Sequence, residues 1–167
     1  CSGNGLDFAH LRIWAVLQRI ALCYGIVSLL AIHINQRYFV HIILGIIIVY
    51  MGILAFGNGY AYDASVNIIA QADLHFFGYD HLYHKSPVDP EGLLSTLPAI
   101  AHTMIGFLCC KYISIADQNV HSKIKFLKIS GLIMLILGFF LSLIGFGINK
   151  RIWSPSYVFV TCGFAAW

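Results

Sequence analysis

The chain has 167 residues, of which 59% are hydrophobic and only 10% charged, with a formal net charge of +3. A water-soluble domain of this size carries about a quarter charged residues to solvate its surface, so composition excludes that class before any motif is read. The charge is too small, and too little interleaved with aromatics, for a nucleic-acid partner. Mean hydropathy is +0.81.

An all-α polytopic transmembrane bundle is predicted, with membrane lipid as its solvent. A crossing helix needs about 20 mostly apolar residues, and four stretches meet that: 14–34, 39–56, 93–112 and 126–148. A fifth begins near Tyr157 and runs to Trp167. The chain reads as one transmembrane domain over 1–167. Cys1-Ser2-Gly3-Asn4 has the look of a mature lipoprotein end, but the stop at Trp167 inside an apolar run favours an internal segment of a longer protein. The five cysteines show neither a CxxC pair nor a metal spacing, and read as small buried hydrophobes.

Orientation follows from where Lys and Arg collect. Lys111, Lys123, Lys125 and Lys128 flank the connection between the third and fourth spans, which places 113–125 in the cytoplasm. Residues 57–92 carry Asp63, Asp73, Asp80, Asp89 and Glu91 against Lys85 alone, so that loop is expected outside. Alternation then puts 149–156 outside as well. Lys150, Arg151 and Arg12 fall on the disfavoured side; they either snorkel or face the acidic loop or an anionic ligand.

Glycines at 131, 138 and 145 in the fourth span, and at 45 and 52 in the second, recur every seven residues. Such a stripe lets helix backbones approach closely in lipid, and a tight left-handed bundle is expected.

The loop 57–92 is too long for a simple connection, and such loops tend to be functional. It holds Asp80-His81-Leu82-Tyr83-His84 and then Asp89-Pro90-Glu91-Gly92. Pro90 and Gly92 predict a turn, with Glu91 in the first turn of the next helix. Asp89 and Glu91 there are either helix caps or site residues, or both. The His/Asp spacing matches no zinc site, so no metal is expected. Within the third span, Pro98 frees the carbonyl near Leu94 and predicts a bend. His102, one turn on, is a functional candidate by its depth; the plainer reading is a neutral histidine bonded to a neighbouring helix. Gln18 and Arg19 face the same choice.

Several motifs together resemble a known family. They are Arg12-Ile13-Trp14-Ala15-Val16-Leu17-Gln18-Arg19-Ile20, then Asp80-His81-Leu82-Tyr83 with Asp89-Pro90-Glu91-Gly92-Leu93-Leu94-Ser95-Thr96. The last is Asn149-Lys150-Arg151-Ile152-Trp153-Ser154-Pro155-Ser156-Tyr157-Val158. In order and content they are similar to the heparan-α-glucosaminide N-acetyltransferase family and its bacterial DUF5009-type relatives. Trp14-Ala15 stands where many relatives have Pro-Gly.

The resemblance implies a bacterial inner-membrane enzyme that moves acetyl from cytoplasmic acetyl-CoA to an amino sugar or glucosamine-ended glycan in the periplasm. It also implies that this chain is the middle of the protein and inactive alone. The family's catalytic histidine would lie upstream, so none of the eight histidines inherits that role. On this reading Asp80, Asp89 and Glu91, with His81 in support, line the amino-sugar side. Asn149, Lys150, Trp153 and Ser156 complete the rim, and Gln18 and Arg19 contact coenzyme or organise the acids. A homodimer is compatible with it. Two other classes stay open: a transporter or flippase of a polar or anionic solute, and a non-catalytic membrane subunit.

Overall fold

The computed structural model describes residues 15–61, 63, 65–77, 89, 91–114 and 119–167. Among these the fold is helical and without strands. Helix α1 spans Val16–His33, a short 3₁₀ turn covers Gln36–Tyr38, and α2 spans Phe39–Phe56. Helix α3 (Ile68–Phe77) lies in the long loop; α4 (Leu93–Ile113), α5 (Val120–Leu143) and α6 (Pro155–Ala166) follow. Helices α1, α2, α4 and α5 are long and apolar enough to cross a membrane, whereas α6 is shorter. The chain is an α-helical membrane bundle.

Helix α4 is the centre, packing on α1, α2, α3, α5 and α6. Its Ala101, Met104 and Ile105 join Val27, Phe39, Ile43, Ile47 and Val158 in the main apolar core. A second, smaller core under the long loop gathers Tyr50, Leu54, Ile69, Ala70 and Ile152. Pro98 is buried, and α4 runs unbroken through it.

The expected boundaries shift most at α5. It starts at Val120 rather than Phe126, taking in Lys123 and Lys125, whose long stems can cover apolar surface while the ammonium groups reach outward. It stops at Leu143, although residues 144–148 are apolar, because Gly145 adopts φ +110°. The Phe146 amide then reaches back to the Leu141 carbonyl at 3.0 Å, which closes the helix with a left-handed glycine. Gly145 is therefore a helix stop and not a member of the packing stripe.

Gly131 and Gly138 do what the stripe predicts, and α6 is what they pack against. A Cβ at Gly138 would lie 2.9 Å from the Val160 nitrogen and 3.0 Å from the Ser156 oxygen; at Gly131 it would lie 2.9 Å from the Gly163 oxygen. Gly45 and Gly52 have nothing within 4 Å of that position, so α2 makes no glycine-mediated approach among the described residues. Of the cysteines, Cys23 and Cys162 are buried as expected, but Cys109 is half-buried and Cys110 exposed.

Backbone overlap at α5–α6 should therefore be costly. Gly138→Val should lower thermal stability of the full-length protein in detergent by about 1–3 kcal/mol, while Gly45→Val should leave the melting temperature nearly unchanged.

Candidate functional site

The end of the bundle that carries the long loop also carries the 149–154 connection, and the two are tied together. The Tyr50 hydroxyl, at the far end of α2, donates to the Ile152 carbonyl. Tyr60 packs edge-on against Phe146, with ring centroids 6.3 Å apart. Burial pushes the Tyr60 hydroxyl up to about 12, tempered by a hydrogen bond with Ser154. Within the loop, buried Asn67 donates to the carbonyls of Gly59 (2.9 Å) and Ala61 (2.8 Å). Its Oδ1 accepts from the Ile69 amide at 2.9 Å, capping α3.

The start of α4 is held by a residue that local sequence does not point to. Asp73, on α3 and fully buried, accepts the Leu93 amide through Oδ1 at 2.8 Å. Gly92 is the N-cap, and the Asp73 carboxylate occupies the space a side chain at 92 would need. Glu91 precedes the cap instead of lying in the first helical turn as expected. Asp89 is buried, and its Oδ1 accepts the Glu91 amide at 2.9 Å while its carbonyl accepts the Gly92 amide at 3.1 Å. It shapes the turn; the helix cap comes from Asp73, sixteen residues earlier. Burial, reinforced by the nearby Asp89 charge and opposed by the Leu93 hydrogen bond, raises the Asp73 carboxyl to about 7.

The 149–154 connection is a second polar turn. Asn149 Oδ1 accepts the Arg151 amide (2.9 Å), and Ser154 Oγ accepts the amides of Asn149 (2.9 Å) and Tyr157 (3.2 Å). Ser154 thereby caps α6, and Pro155 sits at that helix's first position. Trp153 takes φ +50°, a conformation that is unusual for a bulky residue and marks a constrained position.

That constraint aims Trp153 into the bundle. The Arg19 guanidinium carbon sits 3.9 Å from its ring centroid, a cation–π contact, and His102 stands on another side with ring centroids 6.0 Å apart. Arg19, only 5% exposed, also feels the Glu91 charge. All four line one cavity of about 380 Å³, together with Cys23, Tyr24 and Thr103. Two buried polar atoms there, His102 Nδ1 and Trp153 Nε1, have no hydrogen-bond partner among the described residues. The expected hydrogen bond from His102 to a neighbouring helix is thus not formed at Nδ1.

Of the candidates named from the sequence, the cavity brings together Arg19, Glu91 and Trp153. Gln18, next in sequence to Arg19, is exposed and turns off the cavity, since adjacent helical residues point about 100° apart. Asn149 and the fully buried Ser156, whose Oγ pairs with Ser154 Oγ at 2.9 Å, are spent on turn and cap. Lys150 is exposed. Asp80 and His81 lie outside the described residues, as do Arg12 and His84. Sequence reasoning left Asp73, Tyr50 and Asn67 out of the site altogether. A carboxylate or amide in an apolar-faced loop helix is a faint signal, and a tyrosine in a span is none.

A second cavity, of about 680 Å³, opens at the opposite end, between the C-terminal ends of α1 and α4. His33, Asn35, Gln36, Arg37 and Lys111 line it, and the Lys111 ammonium donates to the Gln36 side chain. Comparison with protein-family profiles finds no match, and neither does comparison with curated proteins.

The raised Asp73 carboxyl has a measurable sign. Protonated Asp73 favours the folded state and ionised Asp73 opposes it, so stability should fall as pH rises from its ordinary 3.8 to about 7. Asp73→Asn, which keeps an oxygen for the Leu93 amide, should flatten the melting-temperature profile across that window. Tyr50→Phe should cost about 1–3 kcal/mol in chemical denaturation, because the buried Ile152 carbonyl loses its donor.

Proposed function

We propose that the cavity around Arg19, Glu91 and Trp153 is the acceptor pocket of a membrane-bound acyltransferase. In this reading, acetyl passes from cytoplasmic acetyl-CoA to the amine of a glucosamine-type sugar on the periplasmic face of a bacterial inner membrane. The observation that carries the reading is a buried cation and a carboxylate sharing one cavity beneath an indole ring. A carboxylate holds an ammonium group and takes its proton, an indole face suits the apolar side of a sugar ring, and a guanidinium steadies the carboxylate. The motif resemblance supports the same substrate class and the same acidic turn.

The chemistry asks little else of the pocket. The ammonium gives a proton to Glu91, the free amine attacks the thioester carbonyl, and the carbon–sulfur bond breaks as the carbon–nitrogen bond forms. Placing the amine against the thioester in one cavity replaces a collision in solution with a held geometry. Acetyl-CoA also brings phosphates, and Arg or Lys is what binds them. Arg37 and Lys111, with His33 beside them, line the cavity at the opposite end and fit that need. In this reading Arg19, which shares the other cavity with Glu91, organises the acid.

Purified full-length protein should consume acetyl-CoA only when glucosamine or a glucosamine-ended glycan is present. Glu91→Gln should lower kcat/KM by about 10²-fold or more, the scale of lost general-base help. Asp89→Ala should also reduce activity, by removing the oxygen that accepts the Glu91 amide and so loosening the turn that carries Glu91. Asp63→Asn should match the wild type, because Asp63 is exposed and its carboxylate serves its neighbour Ser65. Solute uptake into proteoliposomes with no turnover of any amino sugar would replace the enzyme with a transporter.

A further inference from the structure

His102 belongs to two cavities. One is the acceptor pocket; the other, of about 390 Å³, lies among the C-terminal half of α4, the start of α5 and the end of α6. Gly106, Cys109, Leu127, Cys162 and Ala165 line the second, which makes it an apolar chamber walled largely by small side chains. The two chambers lie toward opposite ends of α4, and His102 lines both. On His102 and on the neighbouring Trp153 ring, with centroids 6.0 Å apart, are two buried atoms without hydrogen-bond partners among the described residues, His102 Nδ1 and Trp153 Nε1. Such groups are rare in folded proteins and point to a missing partner. The indole nitrogen can only donate, and the imidazole donates when its proton is on Nδ1. Two donors beside one chamber junction call for an oxygen acceptor there.

Resting on the acyltransferase reading above, we infer that the second chamber holds the thioester-bearing arm of the acyl donor, and that His102 and Trp153 hydrogen-bond its carbonyl oxygen. The small, mostly apolar side chains that line the chamber suit a slender arm and offer a sugar few hydrogen-bonding groups. As the amine attacks, the carbonyl π pair moves onto oxygen, where the two N–H groups meet the growing charge. Donors placed where charge develops lower the barrier most. The pair then returns, the sulfur leaves with its electrons, and the thiolate takes up the proton released by the amine. An acetylated amine and a free thiol are the products, and His102 and Trp153 end as they began. Both are catalytic residues in this scheme, and the rare backbone conformation of Trp153 accompanies the placement of its ring beside His102.

The test uses the full-length protein in detergent and has two readouts. The first is labelling of Cys109 by N-ethylmaleimide, followed by mass spectrometry. Saturating acetyl-CoA should slow that labelling at least ten-fold. Gly106→Leu should abolish both protection and transfer, because a Cβ at 106 meets nothing within 4 Å and the added side chain would fill the chamber without a local backbone clash. The second readout is steady-state kinetics. Trp153→Phe keeps a ring beneath Arg19 but has no N–H, and should lower kcat at least ten-fold with little change in KM for acetyl-CoA. His102→Leu should behave likewise, and His102→Asn, which restores a donor, should recover part of the loss. Unchanged Cys109 labelling with acetyl-CoA, together with an active Gly106→Leu variant, would overturn the inference while leaving the acyltransferase reading intact. Protection of Cys109 without transfer to any amino sugar would keep the donor chamber and discard the acceptor assignment instead.

Discussion

A guanidinium buried among apolar helices is the constraint around which this end of the molecule is arranged. Taking Arg19 out of water is expensive unless other groups replace its hydration. Trp153 offers a π face at 3.9 Å and Glu91 an opposing charge. Each of these has to be brought in by its own turn. The 149–154 connection delivers the indole, and the Asp89 turn delivers the carboxylate. Those turns are held by Tyr50 and Ser154 on one side and by Asp73 on the other. Two groups of polar bonds at this end thus hold the turns that make a charged cavity tolerable inside a membrane helix bundle.

Long apolar runs made most of the fold legible in advance, because the hydrocarbon thickness sets helix length almost independently of detail. Boundaries were legible only where a residue imposed them locally. Nothing about Phe126 started a helix; the lysines before it only made that stretch look too polar to belong to one. Gly145 carried two meanings at once, a place in a seven-residue stripe and a left-handed stop, and spacing alone cannot choose between them. Backbone geometry chose the second.

The site was legible in its motifs more than in its parts. Arg19, Glu91 and Trp153 stood in the family-like motifs and share a cavity, whereas Gln18, in the same motifs, is exposed and Asn149 and Ser156 hydrogen-bond within a turn and a helix start. A motif spans the whole turn that positions a group, so it cannot separate the group from its scaffold. Asp73 shows the opposite failure. It caps α4 from another helix, and long-range capping leaves no pattern in neighbouring residues. His102 was visible as an ionisable residue at depth, but its place between two chambers needed α5 and α6 to be folded around it.

Gly92 ties these levels together through what it lacks. Because the Asp73 carboxylate fills the volume where a side chain would begin, the loop helix and the central span meet as a joint with no play. Every substituted side chain at that position acts as a wedge between them. Helix α3 can part from the start of α4 only by giving up its hold on the Leu93 amide. Glycine at this single position is what lets the Asp73 carboxylate reach the Leu93 amide at 2.8 Å.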